Sequence, residues 1–302
     1  IYTLAKIGQF LQDDTLVTDA LRIARLLTPE VISQCKQVDT LSGTAGALLS
    51  FLALYQVVPE PSLLESAISC GHHLIANSEI GPDGRSWKTL GQKRLTGFSH
   101  GAAGIAYALL KLFAVSHELT FRTAAKEAIA YEQSLFLPQE GNWPDLRDFS
   151  KSLLNTSQPA PSVLMSSWCH GASGIGLARL GGMGVEIGLN IQQDIEAAIQ
   201  TTRDRLVSNR NVVDQLCCGR MGQIEFLLCT ASQRQDEALA AEARGYAAQV
   251  IYQAKKRGFY SLEPALNSSI YIPSLCRGEA GRGYAFLRLL CPEQVPSVLL
   301  CE

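Results

Sequence analysis

The chain has 302 residues, of which 47% are hydrophobic and 18% are charged, and its formal net charge is −2. A chain of this length buries a large apolar core, and the near-neutral charge argues against the basic surface of a nucleic-acid-binding protein. The longest apolar run, residues 45–58, is shorter than the roughly 18 residues that a membrane-spanning helix needs. We therefore expect one large domain that does not span a membrane.

Cysteine is abundant in this chain. The nine cysteines are not spaced as a disulfide framework, and no signal-peptide pattern is present, so the sequence favours the cytosol. The first residue is Ile1, and it stands in an apolar segment without a helix cap. We therefore expect the chain to be a fragment of a longer protein.

A glycine motif, G-x-x-G, recurs five times along the chain. Its copies lie at 41–46, 98–104, 168–174, 217–222 and 276–281. Each copy leads into a segment that is apolar almost all round, which is typical of a helix buried on every side. Helices with a one-sided apolar stripe lie between them, as at 64–75 and 191–206. This alternation predicts an all-α fold, an α/α toroid with an inner and an outer layer of helices.

The glycines predict where the functional residues lie. Residues without a Cβ let backbones approach where the N-terminal ends of the inner helices crowd together at one mouth of the toroid. The side chains that precede the motifs are then expected to face one cavity. These residues are Ser99, His100, Trp168, Cys169, His170, Cys217, Cys218, Cys276 and Arg277. Two longer connections, 78–97 and 137–167, are expected to flank the same mouth.

Cys169, Cys217 and Cys218 predict a metal site. They precede adjacent copies of the motif, so the toroid brings three thiols together. Three sulfur ligands can hold zinc, and a fourth position left to water or substrate marks a catalytic site. Helix N-termini also lower the pKa of thiols, which favours the thiolate that a metal needs. The cysteines outside the motifs are interpreted as core residues; they are Cys35, Cys70, Cys229, Cys291 and Cys301.

Six segments carry a resemblance to a known family. They are DTLSGTAG, LTGFSHGAAGIAYALL, GNWPDLR, SSWCHGASGIGLARL, DQLCCGRMGQIEFLL and GEAGRGYAFLRLL. They resemble the lanthionine-cyclase domain at the C-terminal end of class II lanthipeptide synthetases, the bifunctional LanM enzymes of the bacterial cytoplasm. The resemblance implies that residues 1–302 form a LanC-like toroid whose first hairpin and upstream dehydratase domain are missing. It also implies one zinc ion.

The resemblance also implies an activity. Domains of this family add a precursor-peptide cysteine to a dehydroalanine or dehydrobutyrine, which closes a thioether ring. The three thiols above match the family's zinc ligands in its three-cysteine subset, and a site with three thiolates keeps an incoming fourth thiolate nucleophilic. His100 matches the family's histidine that moves protons, a task that suits histidine because its ordinary pKa is near neutral. Asp39 matches the acidic partner of that histidine. His170 is expected beside the ligands or facing the substrate.

The resemblance names two partners for this chain: a dehydrated precursor peptide as substrate, and the dehydratase domain of the same synthetase. The chain departs from the family at Met165, at Cys276 with Arg277, and at Arg282. The charge of Arg282 must reach water or pair with a carboxylate such as Glu279.

Structural interpretations stay open for several residues. Asp39 also fits a helix N-cap, and His100 fits a hydrogen-bonded buried imidazole. Asp145 and Arg147 fit a salt-bridged turn. Three further histidines are expected at the surface: His72, His73 and His117.

Three other functions are open as well. A toroid whose zinc binds a thiol or a peptide without catalysis would not need the pair of His100 and Asp39. A structural zinc in an inactive remnant would need a fourth protein ligand, for which Cys276 and His170 are candidates. An α/α-barrel glycosidase would need paired carboxylates in the cavity, and the motif positions offer only Asp39 and Glu279.

Overall fold

The computed structural model describes residues 1–147, 164–185, 188–208, 213–262 and 271–302. Its α-helices are α1 (Tyr2–Leu11), α2 (Asp14–Ala24), α3 (Pro29–Ser33), α4 (Thr44–Val57), α5 (Pro61–Ala76), α6 (Ala102–Ser116), α7 (Leu119–Ser134), α8 (Ala172–Leu180), α9 (Ile191–Ser208), α10 (Arg220–Arg234), α11 (Glu237–Arg257) and α12 (Glu279–Leu290). Two short antiparallel strands, β1 (Glu79–Gly81) and β2 (Gly84–Ser86), lie in the connection at 78–97. Within these ranges no helix has both the length and the apolarity that crossing a membrane requires.

The helices form two layers. Consecutive helices pack in pairs, α1 with α2, α4 with α5, α6 with α7, α8 with α9 and α10 with α11. The first member of each pair also packs against the first member of the next, in the order α1, α4, α6, α8, α10 and α12. These first members are the inner layer, and their partners are the outer layer. This is the two-layered α/α toroid that the sequence predicts.

The burial of each layer follows the sequence pattern. Inner helix α6 is buried without interruption from Ala102 to Leu110. Outer helix α7 buries one face, on which Ala124, Ala125 and Ala128 lie. Full burial of one Leu or Ile side chain stabilises the fold by about 1.5–3 kcal/mol, so the inner layer supplies most of the apolar core.

The inner helices that follow a glycine motif begin without a side-chain cap. The loop before each helix folds back instead, and its carbonyl groups accept hydrogen bonds from the first helical N–H groups. Ala102 N–H donates to the Leu95 carbonyl and Gly174 N–H to the Ser167 carbonyl, both at 3.0 Å. The loop thereby satisfies donors that a helix start would otherwise leave unpaired.

This close approach explains the second glycine of the motif. A Cβ at Gly104 would overlap the Phe98 carbonyl oxygen, and one at Gly174 would overlap the Trp168 carbonyl oxygen. Three other glycines face the carbonyl six residues before them in the same way: Gly46, Gly222 and Gly281. The close backbone approach that the sequence predicts is thus between each inner helix and the loop that precedes it. These glycines make room for the loop that carries the functional side chains.

The C-terminal segment is hydrogen-bonded to aromatic residues below the mouth. Trp168 donates a hydrogen bond from Nε1 to the Leu299 carbonyl at 3.0 Å, and the Tyr107 hydroxyl donates to the Leu300 carbonyl at 2.8 Å. The ring of Phe98 lies 5.4 Å from that of Trp168. Because the core occupies this space, the polar residues gather at the mouth above it.

Several sequence predictions concern residues away from the mouth. Cys70 and Cys229 are buried as predicted, but Cys291 is exposed at the end of α12, so its interpretation as a core residue was wrong. The expected flanking loop at 137–167 falls largely on residues 148–163, which lie outside the described residues.

Candidate metal centre and proton-transfer pair

Backbone hydrogen bonds join the loops that precede the inner helices. Leu41 N–H donates to the Ser99 carbonyl at 3.1 Å, and Ser99 N–H donates to the Cys169 carbonyl at 3.4 Å. Cys217 N–H donates to the Cys276 carbonyl at 3.0 Å. The loops of neighbouring motifs therefore lie side by side, as the toroid predicted from the sequence requires.

Three thiols from two of these loops form a cluster. Cys169 Sγ lies 3.3 Å from Cys218 Sγ, although 49 positions separate them in the chain, and Cys217 Sγ lies 3.1 Å from Cys218 Sγ. All three sulfur atoms lie within 4.8 Å of one another, and no other such group of metal-binding side chains occurs among the described residues. The three cysteines are free thiols.

The donor set of this cluster fits a zinc ion. Thiolate sulfur binds zinc at about 2.3 Å, so two sulfurs of a tetrahedral site lie about 3.8 Å apart. Two of the sulfur–sulfur distances, 3.1 and 3.3 Å, are somewhat shorter than this value, and no two of the three sulfurs are more than 4.8 Å apart. The three thiols are therefore close enough to bind one zinc ion. Thiolates are soft ligands, and a set of sulfur ligands selects zinc over magnesium or calcium.

The thiols of the cluster differ in pKa. Hydrogen bonds from Cys169 and Cys217 lower the pKa of the Cys218 thiol to about 3, and the nearby guanidinium groups of Arg277 and Arg147 act in the same direction. Hydrogen bonds to Cys217 and Cys218 raise the pKa of the Cys169 thiol well above its usual range. At neutral pH the cluster therefore carries a thiolate at Cys218, which is the form that binds a metal.

The buried Asp39 and the partly exposed His100 form a hydrogen-bonded pair on the neighbouring loops. Asp39 Oδ2 lies 2.8 Å from His100 Nδ1, and Ser42 N–H donates to Asp39 Oδ1 at 2.7 Å. Burial raises the pKa of Asp39, but the hydrogen bonds from His100 and Ser42 outweigh burial and hold that pKa below its usual value. The ionised carboxylate can only accept, so it fixes a proton on His100 Nδ1 and leaves Nε2 to take or give a proton.

Three hydrogen bonds to two side chains hold the loop that carries His100. The buried carboxylate of Glu132, on the outer helix α7, accepts hydrogen bonds from Gly97 N–H and Ala103 N–H, each at 3.0 Å. The Thr89 hydroxyl donates to the His100 carbonyl at 2.6 Å. These contacts fix the backbone on both sides of the imidazole, whose side chain remains 14% exposed at the mouth.

His170 follows Cys169 in the chain and packs against His100. Its ring stacks on that of His100 with 6.0 Å between the centroids, and its Nδ1 lies 3.3 Å from the Thr96 carbonyl oxygen. Burial lowers the pKa of His170 to about 4, so the ring is neutral at physiological pH. The side chain is only 1% exposed. His170 is therefore a buried residue next to His100, and its role in the site stays a prediction.

The sequence did not predict the place of Arg147. Its Nε donates to Asp145 Oδ1 at 3.0 Å and its Nη2 to Asp145 Oδ2 at 2.6 Å, which is the expected salt-bridged turn. Its Nη2 also lies 3.1 Å from Met165 Sδ, and its charge acts on Cys218. Arg147 lies outside the glycine motifs, so the repeat could not predict that its charge acts on the thiols.

The last motif adds Cys276 and Arg277 to the mouth. Cys276 stands two residues before Gly278, the same register in which Cys169 precedes Gly171 and Cys217 precedes Gly219. That shared register was the sequence signal for its proximity to the thiols.

Two further polar residues of the last motif pair with each other. Glu279 and Arg282 form the ion pair that the sequence suggested. The charge of Arg282 is thereby paired with a carboxylate, as expected from the sequence.

Comparisons with known proteins agree with this fold. A family model described as lanthionine synthetase C-like protein matches residues 1–300. The solved structure of a protein named nisin cyclase aligns with a TM-score of 0.58 and 15% sequence identity, over 95% of this chain and 71% of that chain. No curated protein sequence gives a significant match. At such low identity the structural likeness shows a common fold.

Proposed function

Since the chain belongs to the lanthionine synthetase C-like family, we propose that it is a zinc-dependent lanthionine cyclase. Its substrate is a peptide that carries a cysteine and a dehydroalanine or dehydrobutyrine, and its product is a lanthionine or methyllanthionine ring. One observation carries the proposal: three thiols converge within 4.8 Å of one another in a mouth that also holds a hydrogen-bonded carboxylate–imidazole pair.

The thiols would hold the metal ion. Cys169, Cys217 and Cys218 offer three ligands, which leaves one tetrahedral position for a substrate. A zinc ion held in this way keeps an incoming thiol deprotonated at neutral pH and orients it. Three thiolates and one divalent ion have a net charge of about −1, so the incoming sulfur stays electron-rich.

His100 and Asp39 would move the proton. Ring closure joins the peptide sulfur to the β-carbon of the dehydro residue, while the proton that leaves the thiol ends on the α-carbon, so no oxidant or reductant is needed. His100 Nε2 takes that proton and returns it to the carbon. Asp39 stabilises the imidazolium that exists between the two transfers, because its carboxylate lies 2.8 Å from Nδ1.

The family resemblance extends the proposal to the partners of this chain. The motif order and the three-cysteine ligand set resemble those of class II synthetases, in which a dehydratase domain prepares the peptide. The alternative of a zinc protein that binds a thiol without catalysis leaves the hydrogen-bonded pair of His100 and Asp39 without a role.

A cyclisation assay tests the proposed function. The zinc-loaded chain is incubated with a peptide that contains one dehydroalanine and one cysteine. Ring closure leaves the mass unchanged, so the assay counts the peptide thiols that still react with N-ethylmaleimide. We expect these thiols to disappear faster with the protein than with buffer and zinc alone. Equal rates would contradict the proposal.

A further inference from the structure

A fourth thiol lies beside the three-thiol cluster. Cys276, in the loop before α12, is half-buried, and its carbonyl accepts the hydrogen bond from Cys217 N–H at 3.0 Å. The two cysteines occupy the same register before their glycine motifs. The backbone of the last loop therefore holds the Cys276 side chain next to the side chain of Cys217.

The two side chains interact. The Cys276 thiol and the Cys217 thiol share a side-chain hydrogen bond. Cys276 is nevertheless not one of the three sulfurs that lie within 4.8 Å of one another. Its side chain must rotate to join them.

We propose that Cys276 is an exchangeable fourth zinc ligand, which completes the site before substrate arrives and which the substrate thiol displaces. This inference rests on the proposed zinc site. Four cysteine ligands are a common zinc set, and a thiol held at the edge of the site by its own backbone has a high effective concentration there.

The charges around the site favour such an exchange. A fourth thiolate takes the net charge of a zinc site from about −1 to about −2, which costs free energy unless cations lie nearby. Arg277 and Arg147 both act on Cys218, and Arg277 directly follows Cys276 in the chain. The two guanidinium groups offset the additional charge whichever thiolate supplies it.

The exchange step balances in atoms and charge. With zinc held by Cys169, Cys217 and Cys218, its bond to the Cys276 sulfur would break as its bond to the substrate sulfur forms. The proton of the substrate thiol passes to His100 Nε2, as in the proposed ring closure, and Cys276 leaves as a thiolate next to Arg277 in the chain. The net charge of the site stays the same, so the exchange does not release a proton to water.

Counting sulfur ligands tests the resting site. X-ray absorption at the zinc edge is measured on the zinc-loaded full chain without added thiol, for the wild type, Cys276→Ser and the control Cys291→Ser, whose thiol is exposed. We expect four sulfurs in the wild type and the control, and three sulfurs with one oxygen or nitrogen in Cys276→Ser. Three sulfurs in the wild type would overturn the inference.

A titration with a small thiol tests the exchange. N-acetylcysteine amide is added to the cobalt-substituted chain, and its binding is followed by the thiolate-to-cobalt charge-transfer band. Removal of the internal competitor should tighten binding about tenfold or more in Cys276→Ser. Equal affinities, or a wild-type site that no thiol enters, would overturn the inference.

The two failures are distinguishable. A chain that binds no zinc contradicts the proposed function itself. A chain that holds zinc with three sulfurs and still cyclises peptides contradicts only the role of Cys276.

Discussion

The mouth of the toroid has two halves that differ in how their polar groups are paired. We call the region of Asp39 and His100 the proton half, and the region of Cys169, Cys217 and Cys218 the sulfur half. In the proton half each group meets its complement, since the carboxylate accepts from an imidazole at 2.8 Å and from a backbone N–H at 2.7 Å. The sulfur half instead crowds like groups, with sulfur atoms 3.1 and 3.3 Å apart.

If the proposed function is right, the chain completes the proton half by itself, whereas the sulfur half is completed by a metal ion. Hydrogen bonds between thiols are weak. A divalent cation would turn the same short separations into four favourable bonds with the substrate included. The proton half should therefore be complete without metal, whereas the sulfur half should not.

The largest effect is expected from Cys217→Ala, which removes one ligand of the sulfur half. Zinc affinity should fall by more than about 100-fold, because the loss of a residue that merely orients a ligand already costs about 10–100-fold. Ring closure should fall to the uncatalysed rate. Competition with a zinc chelator measures the affinity, and Cys291→Ser is the matched control. A variant that keeps its full zinc would contradict the ligand assignment.

His100→Gln should impair the proton half and leave the sulfur half unchanged. It removes the proton-transfer group and leaves the thiols intact, so the cyclisation rate should fall by about 10²–10⁴-fold while the zinc content stays at the wild-type level. Zinc analysis and the thiol-counting assay on the same sample measure both. An unchanged rate would remove His100 from the mechanism, and a loss of zinc would show that the halves are not independent.

Gly97→Ala changes the loop before His100 at the point where it contacts the backbone of Cys169. Gly97 has φ +98°, and a Cβ there would lie 2.5 Å from the Cys169 carbonyl oxygen. The strain and the overlap should lower the free energy of unfolding by about 2–4 kcal/mol, measured by denaturant titration. The control is Gly245→Ala in α11, where a Cβ meets nothing within 4 Å, and it should stabilise the protein by about 0.5–1 kcal/mol. Equal stability of the two variants would mean that the contact at Gly97 is unimportant.

The smallest effect concerns Asp39. Because its folded pKa is lowered, its contribution to stability is present above the usual carboxyl pKa of about 3.9 and is lost as the pH falls through the lower folded pKa. Asp39→Asn should lose about 1.5 kcal/mol at neutral pH. The gap to the wild type should close at acid pH. Unfolding titrations from pH 7 to pH 3 measure it, and a gap that stays constant would rule out the charge of Asp39 as its cause.

The repeat explains how much of this the sequence could predict. The five glycine motifs and the alternation of helix types predicted the layers, and they predicted that Cys169 meets the vicinal pair because equivalent positions of a repeat lie side by side. Helix α1 packs in the inner layer without such a motif, so its place could be known only from packing. The charge of Arg147 acts on Cys218, but Arg147 lies in a connection outside the repeat. A repeat pattern therefore could not predict its position.

The most direct measurement compares zinc content with activity in one protein. The chain is stripped of metal by a chelator and reloaded with increasing zinc, and the rate of ring closure is measured at each step. The account predicts that the rate rises in proportion to bound zinc and reaches its maximum at about one ion per chain. A metal-free chain that closes rings as fast as the loaded chain would contradict it.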